Sequence, residues 1–224
     1  MTAKRVRARR GDGALLRDDL LRVAEELLIA TGSEEGVTVR AVAQSAGVTA
    51  PSVYRHFADK EALVEAVCLR VWTELTERMC ATAEDSTDPF DRLSRAARVY
   101  LGFALEHPVQ YRTLITRRAT GPEAAAAISE CLQHFVDTVS ACVDAGFLRG
   151  DPLVLTASLW SAVHGCASLL IAQPRSHWPA DTEAVIDQTV RMAVFGSALS
   201  SRLAVTPAAE ELAAGLDELT GRWP

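Results

Sequence analysis

The chain has 224 residues, 49% of them apolar and 23% charged, with a formal net charge of −6 at pH 7. That length supports one large or two small domains with a proper core. Five cysteines, at 68, 80, 131, 142 and 166, form no C-x-x-C pair and are odd in number, which excludes a disulfide-stapled secreted scaffold. With no basic and apolar leader at the start, a reduced, cytoplasmic protein is expected.

A net charge of −6 argues against nucleic acid only if it is evenly spread. Residues 1–58 hold nine Lys or Arg against seven Asp or Glu, a local balance of +2 that leaves −8 on the remainder. Five of those nine cations are Lys4, Arg5, Arg7, Arg9 and Arg10. Positive charge focused at one end suits a DNA-binding part attached to a body that stays off phosphate. Gly11 and Gly13 follow, so residues 1–13 are expected to be a flexible basic arm, either solvated or reaching into a minor groove.

Almost every segment reads at helical period and none alternates as a strand does, so an all-α fold of about nine to ten helices is expected. The first helix, about Leu15–Thr31, places Leu16, Leu20, Val23, Ala24, Leu27 and Leu28 on one face and ends at Gly32. Residues 38–57, TVRAVAQSAGVTAPSVYRHF, then carry the pattern of a helix-turn-helix. Ala43 is the small contact residue between two steeply crossing helices, Gly47 the turn residue tolerant of positive φ, and Val53 the apolar plug. Val39, Val42, Val48, Tyr54 and Phe57 complete a small core. Thr38 caps the first helix of the pair, and Thr49 caps a recognition helix of about two turns that tolerates Pro51 in its first turn. An ordinary helical hairpin containing glycine is the competing reading of Ala43 and Gly47 alone.

The residues that follow separate the two. Val53-Tyr54-Arg55-His56-Phe57 and then Asp59-Lys60-Glu61-Ala62-Leu63 resemble the end of the DNA-binding domain in TetR-family (tetracycline-repressor-like) transcription regulators, over roughly Leu20 to Val67. The resemblance implies a DNA-binding domain over 14–60, with Thr38, Thr49, Tyr54, His56 and Lys60 reaching the phosphate backbone; Arg40 and Arg55 are reasonable additions. In a helix-turn-helix the start of the second helix faces the base edges. Here that is Thr49, Ala50, Pro51 and Ser52, where Ala50 and Pro51 suit thymine methyls and Ser52 suits several bases. With no Arg, Asn or Gln at the tip, no operator sequence follows. The loop from Gly32 to Val37 is about a residue longer than the resemblance suggests.

A fourth helix, about 59–83, carries the stripe Val64, Val67, Cys68, Val71 and Leu75 and spans on the order of 35 Å, enough to connect two domains. Asp88 and Pro89 open a fifth helix ending at His107, and a sixth runs from Pro108 to Arg118. A seventh follows Gly121-Pro122 and ends at Gly146, Asp151 caps an eighth to Ala172, and Asp181 caps a ninth to Leu203. A tail helix, about Pro207–Leu219, closes the chain. Residues 152–174 contain no charged side chain, long enough to span a membrane. The span is solitary and holds Thr156, Ser158, Ser161, His164, Ser168 and Gln173, so a helix buried between protein surfaces is expected.

Residues 84–224 are read as a ligand-binding and dimerisation domain. The eighth helix carries a mostly small stripe of Ser158, Ser161, Ala162, Gly165 and Leu169, and the ninth repeats the theme with Ala193, Gly196, Ser197 and Ser200. Small residues let helix backbones approach, and two such helices per chain suit a symmetric four-helix dimer interface. Trp160, His164 and Gly165 resemble the tryptophan, histidine and glycine signature of one TetR subgroup. With Tyr100, Phe103, His107, Tyr111 and Leu114 they offer aromatic walls for an apolar or aromatic effector, although each is equally at home in a core. Cys131 and His134, with Cys142 near the same face, have soft-metal spacing, but buried thiols are the simpler reading, so no metal or cofactor is expected. No catalytic spacing appears and no enzyme is expected. The whole reads as a ligand-responsive repressor that binds a palindromic operator as a dimer. The rival reading is a helical interaction protein that does not read DNA.

Overall fold

The computed structural model describes residues 12–84, 86–117, 121–203, 205 and 207–221; the basic arm lies outside the described residues. Among them are ten α-helices, two short 3-10 turns and no strand. The helices are α1 (Asp12–Thr31), α2 (Val39–Ser45), α3 (Ala50–Tyr54), α4 (Lys60–Glu84), α5 (Pro89–Glu106), α6 (Pro108–Thr116), α7 (Pro122–Asp144), α8 (Pro152–Ala172), α9 (Thr182–Ser200) and α10 (Ala209–Thr220). The all-α reading therefore holds, and local chemistry explains the boundaries. Carboxylates of Asp88, Asp151 and Asp181 accept from the backbone N–H groups of Phe90 (2.9 Å), Leu153 (2.7 Å) and Ala184 (3.1 Å), satisfying donors that a helix start leaves open. Four helices begin on proline, where the missing N–H costs nothing.

Two differences from the sequence reading have clear causes. The recognition helix α3 has five residues rather than two full turns, because the N–H groups of His56 and Phe57 both converge on the Val53 carbonyl, at 2.9 and 3.0 Å. The stretch between α1 and α2, read as loop, contains a 3-10 turn over Glu34–Gly36 whose Glu35 N–H is held by Ser33 Oγ at 3.2 Å. Gly36 there admits no side chain: a Cβ would lie 2.4 Å from the Thr31 side chain, whose hydroxyl already donates toward the Leu27 and Ser33 carbonyls.

The chain forms two compact units. One comprises the described residues up to Cys80 together with Gly102–Gln133; the other comprises Ala81–Leu101 and His134 onward. Residues 102–133, which the sequence reading placed in the ligand-binding part, thus pack with the N-terminal helices. In this first unit Leu20, Leu28, Val42, Val53, Leu63 and Leu75 are buried with Phe103, Tyr111 and Leu114. Polar clasps fasten its parts. Arg112 donates to the Gly32 carbonyl at 3.0 Å, Arg117 pairs with Glu34 at 2.5 Å, and the Glu65 carboxylate accepts the Gly121 N–H at 2.6 Å at the start of α7, where a carboxylate also meets the positive end of the helix dipole.

The second unit buries Leu93 and Tyr100 of α5, Val139 and Cys142 of α7, Leu159 and Val163 of α8, and Ile186 and Val190 of α9, and α8 packs directly on α9. By length and composition α8 is apolar enough to cross a membrane, with a mean hydropathy of 1.6 in its most apolar window. Thr156, Leu159, Val163 and Ala167 on one face are buried, while Leu153, Val154 and Leu169 are exposed. The expected burial between protein surfaces is met on one face only within this chain.

Candidate nucleic-acid interface

The reading head is built on the contact of α2 with α3. Val42 and Val53 are fully buried, and Ala43 and Phe57 nearly so. Gly47 adopts φ +66°, the left-handed region that only glycine enters without strain, and this lets Val48 N–H return to the Ala43 carbonyl at 2.9 Å. The turn fixes the outward face of α3.

On that face Thr49 stands at the N-cap position, yet its hydroxyl makes no capping bond to the backbone. It lies instead 3.1 Å from the Ser52 hydroxyl, which accepts from the Arg55 guanidinium at 3.1 Å. Two hydroxyls and a cation are thereby held in a row along one exposed turn. Pro51 is exposed beside them, and Ala50 is half-buried. Tyr54 is 56% exposed, and among the described residues its hydroxyl has no hydrogen-bond partner, so the ring is less a core residue than the sequence suggests. Thr38 is exposed and caps α2 by accepting the Ala41 N–H at 3.1 Å, with Arg40 exposed two residues on. Lys60 is the first residue of α4, where Asp59 accepts the Ala62 N–H at 2.7 Å. His56 is half-buried and lines a cleft with Arg17 and Phe57.

The residues read as an effector pocket fall into separate groups. In the second unit the Tyr100 hydroxyl is 3.0 Å from His164 Nδ1, the Ser168 hydroxyl is 3.4 Å from Nε2, and the Trp160 ring lies 4.9 Å from the imidazole. Burial lowers the His164 pKa, which favours a neutral ring with one donor and one acceptor nitrogen. In the first unit the Phe103 and His107 rings lie tilted against each other with centroids 4.7 Å apart. His107 Nε2 is buried, with the Glu106 carboxylate 3.8 Å away. Tyr111 is buried, and Leu114 lines a small void beside Cys68 and Trp72.

Of the residues read as a dimer interface, Ser158, Leu169, Gly196 and Ser200 are exposed, Ala162, Gly165 and Ser197 half-buried, and Ala193 is turned inward. Sequence reasoning missed the large apolar residues beside them: Met192, Phe195 and Leu199 of α9 are exposed. Their spacing of three and four residues was the available signal, hidden by a search for small side chains. Cys131 and Cys142 are buried, and burial raises both thiols, Cys142 to about 11. Among the described residues no three His, Cys, Asp or Glu side chains converge as a metal would require.

A short helix presented outward after a glycine turn, edged by hydroxyls and cations, defines a helix-turn-helix DNA-binding protein. Residues 20–67 match the family described as bacterial regulatory proteins, tetR family, and residues 93–193 match the tetracyclin repressor-like C-terminal domain. The chain belongs to the TetR family of bacterial regulatory proteins. Nucleoid occlusion factor SlmA of Pectobacterium carotovorum is 26% identical over 92 residues, 41% of this chain and 46% of that one, so the chain spans about half the length of the curated relatives it matches. A Rhodococcus protein of unknown function shares the fold with a TM-score of 0.73 at 24% identity, over 82% of this chain and 95% of that one. So does a transcriptional regulator of the TetR/AcrR family from Thermobifida fusca, with a TM-score of 0.63 at 22% identity over 80% and 97%.

Proposed function

We propose that the chain is a cytoplasmic, ligand-responsive transcriptional repressor that binds a palindromic operator as a homodimer and is released by a small molecule. The observation that carries this reading is the exposed row of Thr49, Ser52 and Arg55 beside Tyr54, which is 56% exposed and whose hydroxyl has no partner among the described residues. Ala50, Pro51 and Ser52 face the base edges, while Thr38, Arg40, Thr49, Tyr54, Arg55, His56 and Lys60 contact phosphate. The exposed face of α8 and α9, with Ser158, Leu169, Gly196 and Ser200 beside the apolar Met192, Phe195 and Leu199, forms the interface with a second copy, which puts two recognition helices on one operator. Trp160, with His164 behind it held by Tyr100 and Ser168, offers an apolar effector an aromatic wall with polar groups at its base.

A coupling of roughly 1–3 kcal/mol between effector and operator corresponds to about a 5- to 150-fold change in affinity. The deciding experiment is a gel-shift titration against DNA upstream of the protein's own gene, with a Tyr54→Ala, Lys60→Ala double variant beside it. Specific binding lost in the variant supports the reading. Absence of any shift at low salt, where phosphate attraction is strongest, favours the helical interaction protein instead.

A further inference from the structure

The first unit contains a cleft of about 250 Å³ whose lining, apart from His56, has no role in the proposed DNA contact. This is just below the ~300–1,000 Å³ typical of drug-sized ligands, so it suits a small metabolite. Its floor is α4, with Ala62, Ala66 and Leu69, and its lining also includes Arg17 of α1 and Glu123 of α7.

Arg17 and Glu123 lie on different sides of that floor. At ~100° per residue, the α4 residues that border the trough shared with α1, namely Ala66, Leu69, Arg70 and Thr73, project in one direction. Those that border the void shared with α6 and α7, namely Glu65, Cys68 and Trp72, project in another. Arg17 therefore stands on the α1 side of the floor and Glu123 on the α7 side.

Neither charge is paired by a described residue. The Arg17 guanidinium lies 5.3 Å over the Phe57 ring, which holds its plane without using its donors, and among the described residues it meets no carboxylate. Glu123 is exposed at the start of α7 and pairs with no described cation. His56 adds a titratable group beside Arg17, and Glu65 a second carboxylate beside Glu123. A simple anion would meet the carboxylates, and a simple cation the guanidinium.

We infer that this cleft is a binding site for a linear zwitterion, an amino acid whose carboxylate is taken by Arg17, whose ammonium is taken by Glu123, and whose methylene chain crosses the apolar floor of Ala62, Ala66 and Leu69. The planar guanidinium matches a carboxylate through paired N–H donors. An aliphatic spacer gains by covering the apolar floor. The site is separate from the aromatic cluster at His164, and binding there requires no operator. Any influence on operator affinity, through the His56-Phe57 segment just beyond the Arg55 cap of α3, rests on the DNA-binding reading.

The test is calorimetric titration of the full chain with 6-aminohexanoate, with hexanoate and hexylamine as single-charge controls and glycine as the short control. Saturable binding by 6-aminohexanoate alone is expected, weakened at least about ten-fold by Arg17→Gln and by Glu123→Gln, the loss of one charge-assisted contact. Glu123 is exposed, so its substitution reports on binding even if Arg17→Gln perturbs folding. Ala66→Leu, which fills the floor, abolishes the heat. The inference is overturned by no saturable binding up to about 10 mM, by equal binding of hexanoate, or by unchanged affinity in Glu123→Gln.

Discussion

Removing one oxygen atom, in Tyr54→Phe, separates DNA contact from folding more cleanly than any truncation. The ring is 56% exposed and its hydroxyl has no partner among the described residues, so the free protein loses nothing measurable. A surface change of this kind stays within about 0.5 kcal/mol. In the proposed complex the hydroxyl would donate to a phosphate oxygen, and a net value of about 1 kcal/mol for an exposed bond would give about 2 kcal/mol for the two copies of the proposed dimer. Operator affinity should then fall about 30-fold. Because the phenol is a neutral donor, no counterion is released on its account and the slope of log K against log salt stays put. Lys60→Ala, in contrast, reduces that slope by about one per subunit. Fluorescence anisotropy on a labelled operator at four salt concentrations, with thermal melts of each variant, measures all of this. Wild-type affinity in Tyr54→Phe, or an affinity loss matched by a fall in Tm, would refute the contact.

Three other predictions concern the fold. Gly47→Ala finds open space but keeps a φ of +66°, so its cost is that of the backbone alone, about 1–2 kcal/mol. Chemical denaturation should show that loss, and an unchanged midpoint would mean that the turn relaxes freely. Burial holds the His164 pKa below its ordinary 6.5, so the unfolded chain takes up a proton first as the pH falls. Stability from this group is complete above about pH 6.5 and is lost as the pH drops through the folded value. His164→Gln should flatten the decline in a series of Tm against pH, and an identical decline in the variant contradicts it. Burial also pushes the Cys68 and Cys142 thiols up to about 11, whereas Cys80 and Cys166 are half-exposed. Iodoacetamide on the native protein should modify Cys80 and Cys166 first by peptide mapping, and early labelling of Cys142 would be incompatible with its burial.

Helix order and helix boundaries were legible because their signals are local. Thr38, Asp88, Asp151 and Asp181 stand where caps are needed, and the prolines at 89, 108, 122 and 152 stand one residue further in or at the helix start. The membership of α6 and the first part of α7 in the N-terminal unit was not legible. It depends on Arg112 reaching Gly32 across 80 residues and on Gly121 reaching Glu65 across 56, pairings that leave no mark on periodicity. The candidate DNA surface divides in the same way. Its members follow from the turn at Gly47, but the mutual engagement of Thr49, Ser52 and Arg55 depends on rotamers. On α9, a search for small residues found Gly196 and Ser200 and passed over Phe195, whose ring also meets Phe90 edge-on at 5.2 Å.

The interleaving of the two units along the chain bears on how the protein is made. A ribosome releases α1 to α4 first, then a stretch that belongs to the other unit, and only afterwards the helix that clasps Gly32 and Glu34 and the glycine that meets Glu65. The N-terminal unit therefore cannot finish folding until translation has passed residue 133, and its closing contacts have a long sequence separation that slows folding. A fragment cut after α4 would leave Arg112, Arg117 and Gly121 behind. Isolated DNA-binding fragments of this chain should be less stable than their helical content suggests, and a co-expressed segment covering α6 and α7 should restore them.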